Sequence, residues 1–314
     1  MPTPESKIPT NVPDSVHLPR ILCLHGGGVN AAIFKAQSRS LIRHLQHSFR
    51  LVWADAPFFC DPHPDVIQVY GSYAPFRRWL RWLNEHPGVD AESCIDEIGY
   101  SMRTAMENDN RDGGKGEWVG LMGFSQGAKL TASILLEQQA REDKAVREGK
   151  KEWDAGPIGI PGLNWRFGVL LAGRAPLLNL NPELLTSRAL VSTANISEGF
   201  DFVDNVDDNA MLKQPTIHVL GMADQGLHLH RRLYEEYCEE GTKILIEWEG
   251  AHRVPIKSNT VDRVVGAIYQ VAEEKGIDVT WTVDRRSSWT YAEWVIYIYA
   301  FPCCLSERIL WVIS

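Results

Sequence analysis

The fold of this chain is decided by Gly123-Phe124-Ser125-Gln126-Gly127, a pentapeptide with the G-x-S-x-G pattern of a nucleophile elbow. An apolar run from Trp118 to Met122 precedes it and predicts a short buried strand, and apolar residues at helical spacing follow from Ala128 to Glu137. Because the motif requires a strand, a tight turn and a helix, these flanks favour a functional elbow over an ordinary strand–helix turn. We expect a strained turn that exposes the Ser125 hydroxyl at the sheet edge and leaves no room for side chains at the two glycines.

Segments of strand and helix character alternate on both sides of this motif. The predicted strands are residues 21–24, 49–54, 118–122, 166–173, 216–220 and 243–248, and the predicted last helix is residues 260–274. This alternation predicts a mostly parallel, doubly wound sheet with helices on both faces. It stops at residues 56–95, an aromatic-rich stretch that forms either a lid and pocket wall or an irregular surface excursion packed by its own aromatics. The candidate pocket residues in this stretch are Phe58, Phe59, Tyr73 and Phe76.

The composition of the 314 residues argues against several kinds of partner and site. A formal net charge of −8, without a basic stripe of interleaved aromatics, argues against nucleic acid or an anionic membrane as the main partner. The six cysteines lack the spacing of a zinc site or a disulfide framework, and His-Glu-x-x-His is absent, so we expect no metal and no other cofactor. Reduced thiols and an N-terminus without an apolar signal region favour a cytoplasmic location.

The chain divides into three predicted regions. Residues 1–18 are expected to be a disordered arm, residues 19–276 the α/β domain, and residues 277–314 an atypical tail. The apolar run in the tail, Trp294 to Phe301, is shorter than the roughly 20 residues of a transmembrane helix. The tail is an appended strand or interface segment, a membrane-associating segment, or a gene-model artefact such as a translated intron. We favour the artefact and expect truncation after Gly276 to preserve activity.

The candidate acid and base of a serine nucleophile are Asp224 and His252. A serine hydroxyl needs a base to remove its proton, and that base is normally a histidine oriented by a carboxylate. In doubly wound hydrolases the chain order is Ser, Asp or Glu, then His, and catalytic groups lie beyond the carboxyl ends of strands. Asp224 comes soon after the strand at 216–220, and His252 comes soon after the strand at 243–248. Other acidic residues lie in a polar segment with no strand before it: Asp201, Asp204, Asp207 and Asp208.

The other histidines after the elbow fit the role of base less well. His218 lies inside a predicted strand, where a hydrogen-bonded core histidine is the simpler interpretation. His228 and His230 begin the helix after Asp224, so we expect them at the surface or at the rim of a pocket.

An oxyanion hole needs two backbone N–H groups that point at the developing negative charge. Gln126, the residue after the nucleophile, is expected to supply one of them, and the loop His25-Gly26-Gly27-Gly28 the other. Within this loop Gly27 is our candidate, followed by Gly28. A phosphate-binding glycine loop is the alternative, but G-x-G-x-x-G and a Walker lysine are both missing from the sequence.

Three blocks of the sequence together resemble the FSH-type serine hydrolases of fungi: Leu24 to Asn30, Gly123 to Ala128 and Gly250 to Pro255. The resemblance covers about residues 19–275. It implies the α/β-hydrolase fold, with Ser125 as nucleophile, Asp224 as acid and His252 as base. Some members are similar to the lovastatin-type thioesterases that release polyketides from a carrier protein. Residues 141–153 look longer than the family needs, and the tail after residue 276 has no counterpart in it.

These observations lead to a serine hydrolase, a thioesterase or carboxylesterase, that cleaves an acyl thioester or ester through an acyl-enzyme on Ser125. Its product would be a polyketide or another acyl product of secondary metabolism, presented by an acyl-carrier domain of a polyketide synthase. The aromatic stretch suggests a hydrophobic acyl chain. A general short-chain carboxylesterase on the same machinery is the alternative. A non-catalytic ligand-binding member of the fold is a third reading, although such proteins usually lose a triad residue or an oxyanion glycine.

Overall fold

A computed structural model of the chain describes residues 15–62, 64–151, 156, 158 and 163–279. Its strands are β1 (Arg20–Leu24), β2 (Arg50–Ala54), β3 (Phe58–Phe59), β4 (Arg77–Arg78), β5 (Trp118–Phe124), β6 (Phe167–Leu171), β7 (Leu178–Asn179), β8 (Val191–Ser192), β9 (Thr216–Gly221) and β10 (Lys243–Trp248). Its helices are α1 (Ala31–Gln37), α2 (Arg39–Leu45), α3 (Pro64–Tyr70), α4 (Ala91–Arg111), α5 (Gln126–Arg147), α6 (Leu227–Glu236) and α7 (Ser258–Glu274), with 3₁₀ turns at Gly71–Tyr73 and Asp208–Ala210.

Six of these strands form one parallel sheet in the order β10-β9-β6-β5-β1-β2. The chain starts at β1, adds β2 at one edge, and then crosses to β5 and builds outward to β10. The direction of winding therefore reverses at β1, and the crevice beyond the carboxyl ends of β1 and β5 is where α/β sheets bind ligands. The predicted doubly wound sheet is confirmed, and the elbow lies at its switch point.

Both faces of the sheet are covered because side chains alternate along each strand. Leu22 and Leu24 of β1 join the core on the side of α4 and α5. Ile21 and Cys23 of the same strand join the core on the side of α1, α2 and α7. All four are fully buried, and a buried aliphatic side chain of this kind contributes about 2 kcal/mol relative to an exposed one.

Helix boundaries differ from the predicted ones in places. The helical pattern after β1 is split at Ser38, whose N–H caps α1 by donating to Phe34 O. The charged stretch of residues 141–153, which looked longer than the family needs, continues α5 as far as Arg147, and its first residue does not face solvent. Arg141 is buried and its Nε donates to Glu137 Oε1 at 2.8 Å, one helical turn away on the same side. Residues 152 and 153 of this stretch lie outside the described residues.

The aromatic stretch of residues 56–95 contains the β3–β4 pair, α3 and irregular chain. Trp79 is fully buried within it, and its Nε1 donates to His25 O at 2.9 Å, which anchors the stretch to the end of β1. Phe59 and Tyr73 are exposed. The stretch therefore combines a buried anchor with an outer, solvent-facing part.

The described residues extend slightly beyond the predicted α/β domain at both ends. Residues 15–18, which the sequence assigned to the arm, pack on the loop after α4, where Lys115 N donates to Val16 O at 2.6 Å. The rest of the predicted arm and almost all of the predicted tail, residues 280–314, lie outside the described residues, so the gene-model reading stays a prediction. Across the described residues, no helix is both long and apolar enough to cross a membrane.

Candidate active site

The nucleophile elbow has the strained geometry that the motif predicts. Ser125 joins β5 to α5 with φ +54° and ψ −113°, a left-handed conformation that is unusual for a residue with a side chain. A Cβ added at Gly123 would lie 2.2 Å from Gly127 O, and one added at Gly127 would lie 2.0 Å from Leu24 O. Both positions therefore require glycine, because the strand, the turn and the helix approach too closely for any side chain.

Asp224 and His252 are brought together by the carboxyl ends of β9 and β10. Met222 N donates to Trp248 O at 2.9 Å, and Ala223 N donates to Gly250 O at 2.8 Å, so the two loops continue side by side after the strands end. Asp224 is buried, whereas the His252 ring remains partly exposed at the surface of the site. The late strands thus deliver an acid and a histidine to the same edge of the sheet as Ser125.

The three side chains form a continuous hydrogen-bonded chain. Ser125 Oγ lies 2.9 Å from His252 Nε2, and His252 Nδ1 lies 2.6 Å from Asp224 Oδ2. Because an ionised Asp224 only accepts, His252 Nδ1 carries the proton and Nε2 is left to accept the Ser125 hydroxyl proton. Burial acts to raise the pKa of Asp224, but hydrogen bonds from His252 and from the Gly226 N–H outweigh it and lower that pKa to about 2.

A second layer of charged groups surrounds Asp224, and the sequence did not predict it. Arg174, just after β6, places its Nη2 3.6 Å from Asp224 Oδ1, and its Nε donates to His230 Nε2 at 3.3 Å. His230 Nε2 also lies 3.8 Å from Asp224 Oδ2. The expectation that His230 lies at the surface or pocket rim was wrong, because its side chain is fully buried. Burial lowers the pKa of His230 to about 4, so its ring is neutral at pH 7. His228 is exposed, as expected.

The spacing of α6 contained the signal for His230. Leu233 and Tyr237, three and seven residues later, are both fully buried, so the three residues lie along one inward face. His218 is the buried core histidine that was predicted, and its Nε2 lies 3.0 Å from Thr216 Oγ1. The three rival histidines therefore have three different environments.

The backbone N–H groups near Ser125 Oγ discriminate between the oxyanion candidates. Gly28 N donates to Arg77 O at 2.9 Å, so Gly28, the second candidate in the loop, has no free N–H to offer. The N–H groups of Gly27 and Gln126 have no acceptor among the described residues, and both residues are partly exposed. The Gln126 side chain holds residues 79 and 80 beside the oxyanion site, since its Oε1 accepts from the N–H groups of Trp79 and Leu80 at 3.1 and 3.2 Å.

His25 supports the glycine loop from below. Its Nδ1 donates to Gly26 O at 2.6 Å, and its Nε2 accepts from Ala56 N at 3.0 Å, which fixes one neutral tautomer. Burial lowers the pKa of His25 to about 4. The loop that carries Gly27 is therefore connected to the chain after β2 by hydrogen bonds to a neutral histidine ring.

A cavity of about 450 Å³ lies between residues 81–84 and residues 190–200. The segment of residues 81–84 lies next to the glycine loop, because a Cβ on Gly27 would meet the Trp82 ring at 2.8 Å. None of the four predicted pocket residues lines this cavity. The rings of Phe58 and Phe59 lie under the guanidinium groups of Arg78 and Arg77, Tyr73 packs edge-on against Tyr70, and Phe76 O accepts from Cys60 N. Their role in binding an acyl chain stays a prediction.

One group of described side chains offers three possible metal ligands, and it overlaps the site. Ligand atoms of Asp224, His230 and His252 all lie within 4.8 Å of one another. Asp224 Oδ2 and His252 Nδ1 are only 2.6 Å apart and share a proton, while His252 Nε2 faces Ser125 Oγ. Two ligands of a tetrahedral zinc ion, each about 2.0–2.2 Å from it, stand roughly 3.3–3.6 Å apart, which is wider than the separation of these two atoms. The geometry fits a hydrogen-bonded triad and does not fit a metal site.

A parallel doubly wound sheet with a serine elbow and an aspartate-supported histidine at its switch point defines an α/β-hydrolase of the serine type. Residues 15–264 match the family "Serine hydrolase (FSH1)", and the chain belongs to this family. It is an enzyme that catalyses hydrolysis. The resemblance in the three sequence blocks is thereby confirmed.

Curated relatives with high identity are named as esterases. Esterase pigG of Monascus ruber is 50% identical over 268 residues, which cover 84% of this chain and 94% of that protein. Esterase citA of Monascus ruber and esterase mpl1 of Monascus purpureus are each 45% identical over 265 residues, covering 84% of this chain and 96% and 80% of those proteins. Among solved structures, acyl-protein thioesterase 2 of Zea mays matches 82% of this chain and 96% of its own with a TM-score of 0.44 at 17% identity, a likeness too low to carry an argument.

Proposed function

We propose that this serine hydrolase cleaves an acyl thioester or ester through an acyl-enzyme on Ser125, with His252 as the base and Asp224 as the orienting acid. The hydrogen-bonded chain from Ser125 Oγ through His252 to Asp224, with steps of 2.9 and 2.6 Å, carries this proposal. It gives the serine a base within proton-transfer distance and gives the base a buried counter-charge.

In the first half-reaction Ser125 Oγ attacks the substrate carbonyl carbon while its proton moves to His252 Nε2. Asp224 remains ionised and stabilises the imidazolium that forms. The oxygen of the tetrahedral intermediate receives hydrogen bonds from the N–H groups of Gly27 and Gln126, and one such donor is typically worth about 10²–10³-fold in rate. His252 then gives its proton to the leaving thiolate or alkoxide as the carbon–sulfur or carbon–oxygen bond breaks.

In the second half-reaction water takes the place of the leaving group. His252 Nε2 removes a proton from the water, the hydroxyl attacks the acyl-enzyme, and the same proton returns to Ser125 Oγ as the acid is released. Phe124 packs against the His252 ring with centroids 5.0 Å apart, which helps to hold the ring in one orientation through both steps.

We infer further that the acyl group is a polyketide or a similar product of secondary metabolism, delivered in the cytoplasm by an acyl-carrier domain of a polyketide synthase. The cavity beside the glycine loop supports an acyl chain that also carries oxygen atoms, because its lining combines apolar residues such as Leu190 and Phe200 with polar ones such as Arg81 and Asn195. The resemblance to polyketide-releasing thioesterases supports the choice of a carrier-bound thioester. The esterase names of the relatives support acyl-ester chemistry in general.

The test compares kcat/KM on N-acetylcysteamine thioesters and p-nitrophenyl esters that carry the same acyl chains in increasing length. A preference for long or branched thioesters supports release from a carrier. A preference for short oxyesters, or no discrimination between the two series, would replace this proposal by a general short-chain carboxylesterase.

The nucleophile is tested with Ser125→Ala. We expect turnover to fall by about 10⁴-fold or more and labelling by a fluorophosphonate probe to disappear. Ser72→Ala, at an exposed serine outside the site, is the matched control and is expected to behave like the wild type. Turnover and labelling that survive in Ser125→Ala would remove Ser125 from its proposed role and revive a non-catalytic reading of the site.

A further inference from the structure

Lys129 is a buried cation in the first turn of α5, four residues after Ser125. Its side chain is only 6% exposed, and its Nζ donates to Ser197 Oγ at 2.8 Å. Within the described part of the chain, no carboxylate lies within ion-pair distance of this ammonium group. A buried charge is normally paired, because its desolvation in a protein interior costs several kcal/mol. Lys129 therefore lacks the counter-charge that its position calls for.

The surroundings of Lys129 add positive charge. Burial, and to a smaller extent the charge of Arg174, lower the pKa of Lys129 to about 7. Arg174 itself lies beside Asp224 at the rim of the triad. The side of the site between α5 and the end of β6 thus carries two cations, and Asp224, the one carboxylate paired with Arg174, is already engaged by His252.

Lys129 lies close to Ser125 along α5. Helical side chains lean toward the N-terminus of their helix, and α5 begins at Gln126, directly after the nucleophile. Four residues of helix span about 6 Å along the axis. The backbone of Lys129 therefore lies about 6 Å along the axis from Ser125, in the turn of α5 nearest to the carbonyl carbon that Ser125 would attack.

The partner of Lys129 belongs to a segment that borders the cavity. Ser197 lies in the segment whose residues 194–196, 199 and 200 line the cavity, opposite Arg81 and Asn84. In the absence of substrate the Ser197 hydroxyl occupies one hydrogen-bonding position of the ammonium group. Neither Ser197 nor Lys129 lines the cavity directly, so an oxygen of a ligand would reach the cation where the Ser197 hydroxyl moves aside or shares the ammonium group.

We propose that Lys129 is a specificity-determining residue that binds an acidic oxygen on the acyl part of the substrate, such as the enolate oxygen of a β-oxo acyl group. This inference rests on the proposed function, because it assigns a feature of the acyl group that the same site hydrolyses. An acidic oxygen supplies the counter-charge that the fold does not. It also distinguishes an oxidised, poly-oxo acyl chain from a saturated one of the same length.

The experiment measures the ratio of kcat/KM for the 3-oxohexanoyl and hexanoyl thioesters of N-acetylcysteamine. We expect the wild type to prefer the 3-oxo substrate and Lys129→Met to reduce the ratio by about 10- to 100-fold, the equivalent of a hydrogen bond to a charged group at roughly 1.5–3 kcal/mol. Lys129→Arg keeps the charge and should retain part of the preference. Ser197→Ala removes the competing hydroxyl and should leave the ratio unchanged or raise it.

Two further measurements separate recognition from a structural role. In the Ser125→Ala background, Lys129→Met should weaken binding of the 3-oxo thioester measured by calorimetry and leave binding of the hexanoyl thioester much less affected. Lys129→Met should also raise Tm at pH 7 by about 5 °C, since an unpaired buried cation destabilises the fold. A Tm that falls, or an equal loss on both substrates, would show that Lys129 only supports the 190–200 segment and would overturn the inference.

The outcomes keep this inference apart from the proposed function. Hydrolysis of both thioesters at similar rates, with a ratio that Lys129→Met does not change, would reject the role of Lys129 and leave the hydrolase proposal standing. Failure of the wild type to hydrolyse any thioester, while fluorophosphonate labelling and oxyester turnover persist, would reject the thioester proposal itself. A 3-oxo preference in binding to Ser125→Ala that depends on Lys129 would still support the inference in that case.

Discussion

Acidification from about pH 7.5 to about pH 5 should destabilise this protein strongly, because three buried histidines must stay neutral in the folded state. Burial lowers the pKa values of His25 and His230 to about 4 and that of His218 to about 3, from an ordinary value of 6.5. All three side chains are 1% exposed or less. Two of them also use Nε2 as an acceptor, His25 from Ala56 N and His230 from Arg174 Nε, so protonation would break these contacts.

The direction in which pH changes the free energy of unfolding follows from proton binding in the folded and unfolded states. Between about pH 6.5 and pH 4 the unfolded chain binds protons at these histidines and the folded chain does not, so the free energy of unfolding falls as the pH falls. Because pH 5 is about 1.5 units below the unfolded pKa, each histidine lowers the free energy of unfolding by about 2 kcal/mol there. The three together lower it by about 6 kcal/mol. A typical total stability is about 5–15 kcal/mol, so the loss is a large part of it. Asp224, with its pKa lowered to about 2, adds a further loss in the same direction only below about pH 4.

Urea denaturation followed by circular dichroism at several pH values between 7.5 and 5 measures this slope. The midpoint should fall steadily below pH 6.5, and simultaneous titration should show about three protons taken up on unfolding at pH 5. His47→Gln, at an exposed histidine, is the control and should leave the slope unchanged. A free energy of unfolding that stays constant or rises as the pH falls from 7 to 5 would refute the view that these three rings stay neutral in the folded protein.

Two further predictions concern the reaction. Gly27→Ala should lower kcat by about 10²-fold, because the new Cβ would lie 2.8 Å from the Trp82 ring and 3.0 Å from Gln126 Cδ and would displace both side chains beside the oxyanion site. Gly71→Ala, where a Cβ has room, is the control. An unchanged kcat in Gly27→Ala would exclude Gly27 from the oxyanion hole. Arg174→Gln should lower kcat/KM by about 10-fold, because it removes the guanidinium 3.6 Å from Asp224 Oδ1 and the Nε–H donor to His230 Nε2, which together position Asp224. An unchanged kcat/KM would show that these two contacts do not position the acid.

The backbone of the site could be read from the sequence because each part obeys a local rule. The elbow needs glycine at positions 123 and 127, and two glycines at this fixed spacing around a serine form a recognisable motif. Asp224 and His252 follow strands whose apolar runs are unbroken, and parallel strands end at one edge of the sheet. The preference for Gly27 over Gly28 had no local rule behind it, because the choice depends on the Gly28 N–H contact with Arg77 O, which comes from a distant part of the chain.

The groups that surround the triad were missed because their importance depends on packing between distant elements. Arg174 follows β6 as Asp224 follows β9, so the rule that found the acid applied to it as well, but a lone arginine in a loop has no motif. Lys129 lies in the run Ala128-Lys129-Leu130 on a helix whose first three turns are buried nearly all round. Only the structure shows that, among the residues it describes, no carboxylate lies within ion-pair distance of Lys129. A lysine buried in the first turn of α5, four residues after the proposed nucleophile, is costly to the fold, and we look for its counter-charge on the substrate.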